Sequence, residues 1–212
     1  MDKFIDRQEA GIILTKHLKN YAHQSNVIIL ALPRGGVPVA YEIAKALSLP
    51  LDVFIVRKLG VPGHEELAMG AIASGDTVIF NESMMKQMNL EESLIEGVLR
   101  AEKKELLRRE RLYRRNRPAI DPTGKTIILV DDGIATGSTM LAAIQALRKH
   151  KPESIVVAVP VSPQSTYKGM KALVDKIICP LTPINFYSVG LWYENFTQTS
   201  DDEVIELLDK TN

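Results

Sequence analysis

The sequence predicts an α/β fold: a parallel β-sheet with helices on both faces. Short apolar runs at 26–32, 51–58 and 125–130 alternate with segments whose apolar residues recur at helical spacing. The runs are mostly apolar and do not alternate strictly with polar residues, which is typical of strands covered on both faces. Because the first two runs flank a helical segment at 37–49, they form a strand–helix–strand unit, and such units build parallel sheets.

The N-terminal segment predicts an amphipathic helix. Asp6 and Glu9 have the spacing of a capping box, and apolar residues between Ile12 and Leu18 supply one side of the helix. After the strand–helix–strand unit, residues 59–82 contain several glycines and only short apolar pieces. We interpret this stretch as a loop with a marginal hairpin.

A long helical arm follows. Asn89 and Glu92 predict its start, and Pro118 ends it. Its basic residues are interleaved with glutamates at helical spacing, so we expect it to pack on a partner subunit or on its own domain rather than on nucleic acid. Three apolar residues spaced by seven form a stripe along it: Leu99, Leu106 and Tyr113.

The second half of the chain predicts a further series of strands and helices. In order these are strand 125–130, helix 138–150, strand 154–161, helix 164–173, strand 176–181 and a terminal helix capped at Ser200 or Asp201. The elements together predict one domain over residues 1–212, with a flexible loop and the helical arm at 59–118 and a C-terminal hood at 180–212.

Composition narrows the class of protein. The chain has 212 residues, of which 26 are basic and 26 acidic, so its net charge gives no long-range attraction for anions. Cys179 is the single cysteine, which excludes an intramolecular disulfide and a cysteine metal cluster. The N-terminus lacks the apolar region of a signal peptide, and no apolar run approaches the roughly 20 residues of a membrane span. We therefore expect a cytoplasmic protein without membrane contact.

Three turns would follow the carboxyl ends of the predicted strands, where open parallel sheets bind ligands. They are LPRGG at 32–36, RKLG at 57–60 and DDGIATGST at 131–139. In the third turn, small and hydroxyl residues open a helix whose free backbone N–H groups favour an anion. Asp131 and Asp132 would repel a phosphate alone, so they indicate a ligand that also carries vicinal hydroxyls, such as ribose 5-phosphate. The two carboxylates would bind the hydroxyls directly or through Mg²⁺.

The stretch ILVDDGIATGST closely resembles the phosphoribosyl-pyrophosphate motif of the type I phosphoribosyltransferases. The resemblance implies that Asp131 and Asp132 bind the ribose hydroxyls, with Mg²⁺ held beside them through the substrate. It also implies a cradle for the 5-phosphate, formed by Ala135, Thr136, Gly137, Ser138 and Thr139.

The other two turns are similar to diphosphate-binding segments of the same family. LPRGG resembles its pyrophosphate loop, which here contains Arg34, Gly35 and Gly36. Arg57 and Lys58 resemble the Arg-Lys pair that the family places near the diphosphate. The catalytic residues implied by the resemblance act through their charge rather than as nucleophiles, and they are Asp131, Asp132, Lys58 and Arg34.

The resemblance implies an enzyme, and two alternatives stay open. The implied reaction is Mg²⁺-dependent transfer of the phosphoribosyl group from phosphoribosyl pyrophosphate to an unidentified acceptor, in a homodimer that binds neither nucleic acid nor membrane. One alternative is a non-catalytic regulator that binds the same ligand, and the other is a hydrolase or phosphorolytic enzyme that uses the same pocket. Residues 59–77 would form the family's closing loop, in which His64, Glu65 and Glu66 are solvated or transfer protons.

Aromatic residues are concentrated near the C-terminus, in the segment INFYSVGLWYENF. They either pack a core or a lid, or they stack on a planar acceptor as a hood. No lysine lies in the strand VAVPVSP, so the sequence does not support purine recognition. The five aromatic residues are Phe186, Tyr187, Trp192, Tyr193 and Phe196.

Overall fold

The computed structural model describes residues 3–88, 91–115 and 117–211. Within these ranges the helices are α1 (Arg7–Leu18), α2 (Gly36–Leu47), α3 (Glu82–Met88), α4 (Glu92–Arg114), α5 (Ser138–Lys149), α6 (Gln164–Lys171) and α7 (Asp201–Asp209). The strands are β1 (Val27–Ala31), β2 (Leu51–Val53), β3 (Val56–Val61), β4 (His64–Ala73), β5 (Thr77–Phe80), β6 (Thr126–Val130), β7 (Ser154–Ala158) and β8 (Lys176–Ile178). Two short 3-10 helices lie at Lys19–Tyr21 and Val189–Trp192.

Five strands form a parallel sheet in the order β2-β1-β6-β7-β8. Ile29 of β1 lies opposite Leu51 in β2 and Ile128 in β6, and β7 and β8 run in the same direction. The predicted α/β fold with a parallel sheet is confirmed. Because β1 and β6 are neighbours, the loops that leave their carboxyl ends lie side by side.

Helices cover both faces of this sheet. Alternate residues of a strand point to opposite faces, so β1 presents Ile29 to one face and Ile28 to the other. Ile29 packs in a cluster with apolar residues of α1, α2, α4 and α7, whereas Ile28 packs with those of α5 and α6. Every residue of β1 and β6 is buried, which explains why their sequences are apolar except for Thr126.

The prediction of a single strand at 51–58 is wrong, because β2 and β3 divide this run between two sheets. The link between them is fixed by two backbone donors. The Phe54 N–H donates to the Ala31 carbonyl (2.9 Å), and the Ile55 N–H donates to Ser74 Oγ (2.9 Å). The link is buried like the strand before it, so apolar content alone does not reveal where the backbone changes sheets.

Residues 59–82 form regular strands rather than the predicted loop, although the predicted hairpin is confirmed. β3, β4 and β5 make an antiparallel three-stranded sheet. Leu59, Met69 and Ile72 are fully buried and attach this sheet to the core. Gly75, with a φ of +78°, lies in the turn between β4 and β5, so a glycine that suggested a loop marks a tight turn instead.

The predicted helical arm corresponds to α4, which packs on its own chain, and α3 before it is a short helix that was not predicted. Asn89, which was predicted to start the arm, lies outside the described residues, and α4 begins at Glu92. Leu106 and Tyr113 are buried against the core shared with β3 and α7, which confirms the predicted apolar stripe. None of the described helices, α4 included, is long and apolar enough to cross a membrane.

A buried ion pair fixes the C-terminal end of α4 to β2. Arg114 Nε donates to Asp52 Oδ1 (2.9 Å) and Oδ2 (3.0 Å), and Arg114 Nη2 donates to the Val53 carbonyl (2.8 Å). Burial opposes the charge of Arg114, but Asp52 and Glu110 outweigh it and raise the pKa of this guanidinium. The arm is therefore held at its end by a charge that is fully paired inside the protein.

Two predicted helix caps are confirmed. Asp6 Oδ1 accepts a hydrogen bond from the Glu9 N–H (2.8 Å), and Glu9 Oε2 accepts one from the Ile5 N–H (2.6 Å). At the start of α7, Ser200 Oγ accepts a hydrogen bond from the Glu203 N–H (3.1 Å). The bonds from the Glu9 and Glu203 N–H groups satisfy backbone donors that the first turn of a helix leaves without a partner, whereas the Ile5 N–H lies just before its helix.

Candidate functional site

Two loops meet at the carboxyl ends of β1 and β6: residues 32–36 and residues 131–139. The Leu32 N–H donates to the Val130 carbonyl (2.8 Å), which joins the start of one loop to the start of the other. The Pro33–Arg34 peptide bond in the first loop is cis. The two segments that resemble the pyrophosphate loop and the phosphoribosyl-pyrophosphate motif are thus brought together, as the sequence predicts.

Glycines allow this close approach. A Cβ atom on Gly35 would lie 2.6 Å from Asp132 Cγ, and one on Gly36 would lie 2.7 Å from the Val130 carbonyl oxygen. Real Cβ atoms do not approach other heavy atoms so closely, so any larger residue would push the loops apart. The two glycines therefore determine the shape of the junction.

The second loop and the first turn of α5 form an open cradle of about 170 Å³. Gly137 has a φ of +84°, and a Cβ there would lie 2.7 Å from Met170 Cε. Thr136 Oγ1 and Ser138 Oγ lie 3.2 Å apart and share a hydrogen bond. Because the first N–H groups of a helix have no intrahelical partner, the cradle offers donors to an anion. All five residues predicted to hold the phosphate line it: Ala135, Thr136, Gly137, Ser138 and Thr139.

Asp131 and Asp132 precede the cradle and interact with each other. Asp131 lines the cradle, and its Oδ1 accepts a hydrogen bond from the Asp132 N–H (2.9 Å). Burial, and then the charge of Asp132, hold the pKa of Asp131 well above its usual range. Burial also raises the pKa of Asp132, against the lowering effect of Arg7. Carboxyl groups perturbed in this way, when they line a cleft, are typical of functional sites.

Two residues outside the predicted site hold Asp132 in place, and they are Arg7 and Tyr193. Arg7 Nε (2.9 Å) and Nη2 (2.8 Å) both contact Asp132 Oδ2, and Tyr193 Oη donates to the Asp132 carbonyl (2.6 Å). Arg7 is 125 residues from Asp132 in the chain, so no local spacing indicates their pairing. For Tyr193 the only signal was its membership of the C-terminal aromatic cluster.

Arg34, the charged residue of the first loop, lies beside the start of α7. Its Nη1 is 3.7 Å from Asp201 Oδ1, and 34% of its side chain is exposed. Tyr113 Oη donates to the same oxygen of Asp201 (2.7 Å). Burial and this hydrogen bond raise the pKa of Tyr113 to about 12. A long, partly exposed ion pair contributes little to stability, so Arg34 can leave Asp201 to bind an anion at little cost.

Arg57 and Lys58 do not end a strand of the parallel sheet, which corrects the predicted placement. They are neighbours in β3, where successive side chains point to opposite faces. Arg57 points to the face that carries α4, and its Nη2 lies 2.6 Å from Glu102 Oε2. Lys58 is exposed on the other face and has no ion-pair partner among the described residues. Arg57 and Lys58 therefore cannot both contact the same ligand group.

The C-terminal aromatic residues divide into a packed group and an exposed one. Tyr193 is only 3% exposed and packs on Phe4, with 5.5 Å between the ring centroids. Phe186 and Trp192 stack with centroids 6.4 Å apart. Tyr187, by contrast, is 87% exposed. The core interpretation therefore applies to Tyr193, whereas Tyr187 is available to a planar ligand.

The two acids do not form a complete metal site by themselves. Within the described ranges, no group of three or more His, Cys, Asp or Glu side chains is arranged to hold a metal ion. One oxygen of each carboxylate is already engaged, Asp131 Oδ1 by the Asp132 N–H and Asp132 Oδ2 by Arg7. The two carboxylates would therefore hold a cation such as Mg²⁺ only together with oxygen atoms of a bound ligand.

Comparisons with known proteins identify relatives of this chain. A family model described as "Phosphoribosyl transferase domain" matches residues 6–194. Two Mycobacterium tuberculosis proteins, named provisionally as phosphoribosyl transferases, are 44% identical over 212 residues. The chain spans 48% of the length of these curated relatives. The crystal structure of TT1426 from Thermus thermophilus is 35% identical, with a TM-score of 0.85 over 98% of each chain.

Proposed function

Since the chain belongs to the phosphoribosyl transferase domain family, we propose that it transfers the 5-phosphoribosyl group from phosphoribosyl pyrophosphate to a nitrogenous base or a related acceptor. The main support for this proposal is that the loops 32–36 and 131–139 meet beside the cradle, where Gly35 and Gly36 allow their close approach. A phosphate in the cradle would bring the ribose hydroxyls to Asp131 and Asp132. The diphosphate would then extend toward the loop 32–36, where Arg34 is available.

Catalysis in this proposal is electrostatic. The acceptor nitrogen attacks C1 of the ribose, and the C1–oxygen bond breaks as diphosphate leaves with the electron pair. Arg34 and Lys58 would stabilise the negative charge that develops on the leaving group, while Asp131 and Asp132 favour the positive charge on the sugar. Mg²⁺ bound to the diphosphate would supply further stabilisation of the leaving group. The reaction requires no covalent intermediate with the protein.

The acceptor side is proposed to lie along the segment that carries Tyr187 and Val189. Val189 lines the cradle and also contacts the loop, because a Cβ on Gly133 would lie 2.6 Å from Val189 Cγ1. Tyr187, two residues earlier, exposes a ring that suits stacking on a planar acceptor. Because Tyr187 is only two residues from Val189, an acceptor stacked on Tyr187 would lie close to the bound ribose.

A non-catalytic regulator that binds phosphoribosyl pyrophosphate is the second candidate. One observation favours it: Arg57 is paired with Glu102, so one of the two basic groups expected near the diphosphate is engaged elsewhere. Such a protein would bind the ligand through the cradle and the acids without releasing diphosphate. Measuring both the binding of phosphoribosyl pyrophosphate and the release of diphosphate therefore distinguishes the two candidates.

Diphosphate release in single-turnover assays with Mg²⁺, phosphoribosyl pyrophosphate and a panel of bases tests the enzyme proposal. We expect release with at least one base, and no ligand binding by the double variant Asp131→Asn, Asp132→Asn. Asp209→Asn serves as a matched control, since Asp209 is an exposed acid that pairs with Arg115. Tight binding without release for any base would favour the regulator, and unchanged binding by the double variant would refute the roles of the two acids.

Four further expectations remain predictions. A homodimer is proposed on the resemblance to the family, and a cytoplasmic location and a single domain over residues 1–212 are proposed on the sequence. Motion of the segment 59–77 over a bound substrate is proposed on the resemblance to the family. The first can be checked by sedimentation of the purified chain, and the last by comparing its proteolysis with and without ligand.

A further inference from the structure

Arg7, the first residue of α1, contacts Asp132, the second acid of the loop 131–139. Arg7 Nε and Nη2 lie 2.9 Å and 2.8 Å from Asp132 Oδ2, and the exposed fractions of the two side chains are 11% and 15%. A positive side chain at the N-terminus of a helix opposes the helix dipole. Its position there is therefore not explained by helix stability, and the contact with Asp132 offsets the unfavourable charge.

The guanidinium of Arg7 is itself held by the C-terminal segment. Its Nη1 donates to the Thr197 carbonyl (2.7 Å), and its Cζ lies 4.0 Å above the centre of the Phe196 ring. Both contacts restrict the orientation of the guanidinium plane. Arg7 thus reaches Asp132 in a fixed direction, with partners on two segments that are distant from it in sequence.

Arg7 uses only one oxygen of the Asp132 carboxylate. Both Arg7 nitrogens contact Oδ2, and neither contacts Oδ1. The Asp132 backbone is fixed separately, because Tyr193 Oη donates to its carbonyl (2.6 Å). Gly35 packs against the carboxylate from the other loop. The result is an oriented carboxylate whose Oδ1 is not bonded to Arg7.

We propose that Arg7 is a positioning residue, which holds Asp132 through Oδ2 so that Oδ1 accepts a hydrogen bond from a ribose hydroxyl of the bound sugar phosphate. This inference rests on the proposed function, because it takes the ligand to be a ribose 5-phosphate group. Arg7 itself contacts neither the reacting atoms nor the phosphate in this proposal. Its effect is confined to how well the hydroxyl is bound.

The test compares two probes, ribose 5-phosphate and inorganic phosphate, by isothermal titration calorimetry without Mg²⁺. The variants are Arg7→Met and Arg7→Lys. Arg148→Met is the matched control, since Arg148 pairs with Asp175 (2.9 Å) in an exposed ion pair on the same domain. A charged hydrogen bond contributes enough that we expect Arg7→Met to weaken ribose 5-phosphate binding about tenfold. Inorganic phosphate should bind with unchanged affinity, and Arg7→Lys should recover part of the loss.

A merely structural role predicts a different pattern. If Arg7→Met weakens both probes equally, or neither, the positioning role is refuted. In a background of Asp132→Asn, Arg7→Met should cause no further loss of ribose 5-phosphate affinity, and an additive loss would also refute the proposal. Should Arg7→Met fail to fold, Arg7→Gln, which keeps a donor without the charge, carries the same comparison.

The two proposals fail in different ways. If the unaltered protein binds neither phosphoribosyl pyrophosphate nor ribose 5-phosphate, the proposed function fails and the positioning role fails with it. If the unaltered protein binds ribose 5-phosphate and Arg7→Met binds it equally well, only the role of Arg7 is refuted.

Discussion

Single residues of the candidate site depend on one another most closely where the two loops meet. Gly35 leaves no room for a side chain beside Asp132, and Asp132 is also bonded to Arg7 and Tyr193. Groups that share partners in this way respond together to substitution. A substitution at Gly35 should therefore alter the position of the Asp132 carboxylate and the binding of its ligand.

Gly35→Ala should lower the affinity for phosphoribosyl pyrophosphate by about tenfold or more. The added Cβ displaces the Asp132 carboxylate, and a hydrogen bond to a charged group contributes roughly 1.5–3 kcal/mol. Calorimetric titration measures the loss. Gly97→Ala is the control, because a Cβ there meets nothing within 4 Å, and it should leave affinity unchanged while stabilising α4 by about 0.5–1 kcal/mol. Equal affinities for Gly35→Ala and the unaltered protein would contradict this contact.

Asp131→Asn should make the protein more stable at neutral pH while it abolishes function. Burial and the charge of Asp132 raise the pKa of Asp131, so the folded state binds a proton that the unfolded chain releases above roughly pH 4. Stability is consequently lost as the pH rises from that point through the folded pKa. Urea unfolding should give a larger gain for Asp131→Asn at pH 8 than near pH 4. A gain that does not depend on pH would show that ionisation of Asp131 does not cost stability.

At the scale of strands and helices, the alternation of β3 separates two basic residues that are adjacent in sequence. Arg57 is paired with Glu102 of α4, while Lys58 is exposed on the other face. Lys58→Met should therefore weaken binding of phosphoribosyl pyrophosphate without affecting ribose 5-phosphate, which lacks the diphosphate. Arg57→Met should chiefly change stability. A stronger effect of Arg57→Met on phosphoribosyl pyrophosphate affinity would reverse the assignment.

The end of α4 should be sensitive to loss of its buried charge. Arg114→Met leaves Asp52 buried without its partner, and breaking such a pair costs about 3–5 kcal/mol. Chemical denaturation measures this loss. Arg108→Met is the matched control: Arg108 is 55% exposed and pairs with Glu105, so its removal should cost less than about 1 kcal/mol. Similar losses for both variants would mean that the Asp52 pair does not anchor the arm.

Apolar patterns predicted the strands of the parallel sheet and the stripe on α4, because burial on both faces of a sheet or along one side of a helix has a local signature. They did not predict the division of 51–58, since both parts are apolar and the change of sheet depends on the Ser74 hydroxyl 19 residues after Ile55. The glycines of 59–82 suggested a loop because turns of a compact hairpin use the same residue. Local sequence therefore predicted which residues are buried better than it predicted which sheet they join.

At the scale of the whole molecule, the N-terminal segment pairs with residues 192–195 beside the site. The Phe4 N–H donates to the Trp192 carbonyl (2.9 Å), and the Glu194 and Asn195 N–H groups donate to Phe4 and Ile5 (2.8 Å each). Arg7 and Tyr193, which hold Asp132, extend from these paired segments. The sequence predicted the loops but not the pairing of these two segments, because contacts between residues nearly 190 positions apart leave no periodic pattern.

Ligand binding should therefore slow hydrogen exchange far from the cradle in sequence. We expect ribose 5-phosphate to protect the amides of Phe4, Glu194 and Asn195, since a bound hydroxyl would stabilise the Asp132 contacts that these segments support. Exchange followed by mass spectrometry with and without ligand measures the effect. The Gly124 N–H, which donates to the Lys151 carbonyl at the opposite end of the sheet, provides the reference. Equal protection at both places would indicate general stabilisation instead.

Helix α5 makes two different attachments at its two ends. Its first turn forms the cradle, and at its last turn Lys149 Nζ donates to the Val78 carbonyl (2.7 Å) while His150 Nε2 lies 3.2 Å from Thr77 Oγ1. A helix of 12 residues is about 18 Å long and behaves as a stiff rod. We expect a displacement of the β4–β5 hairpin to move this end of α5 and, through the stiff helix, the N–H groups of its first turn at the cradle.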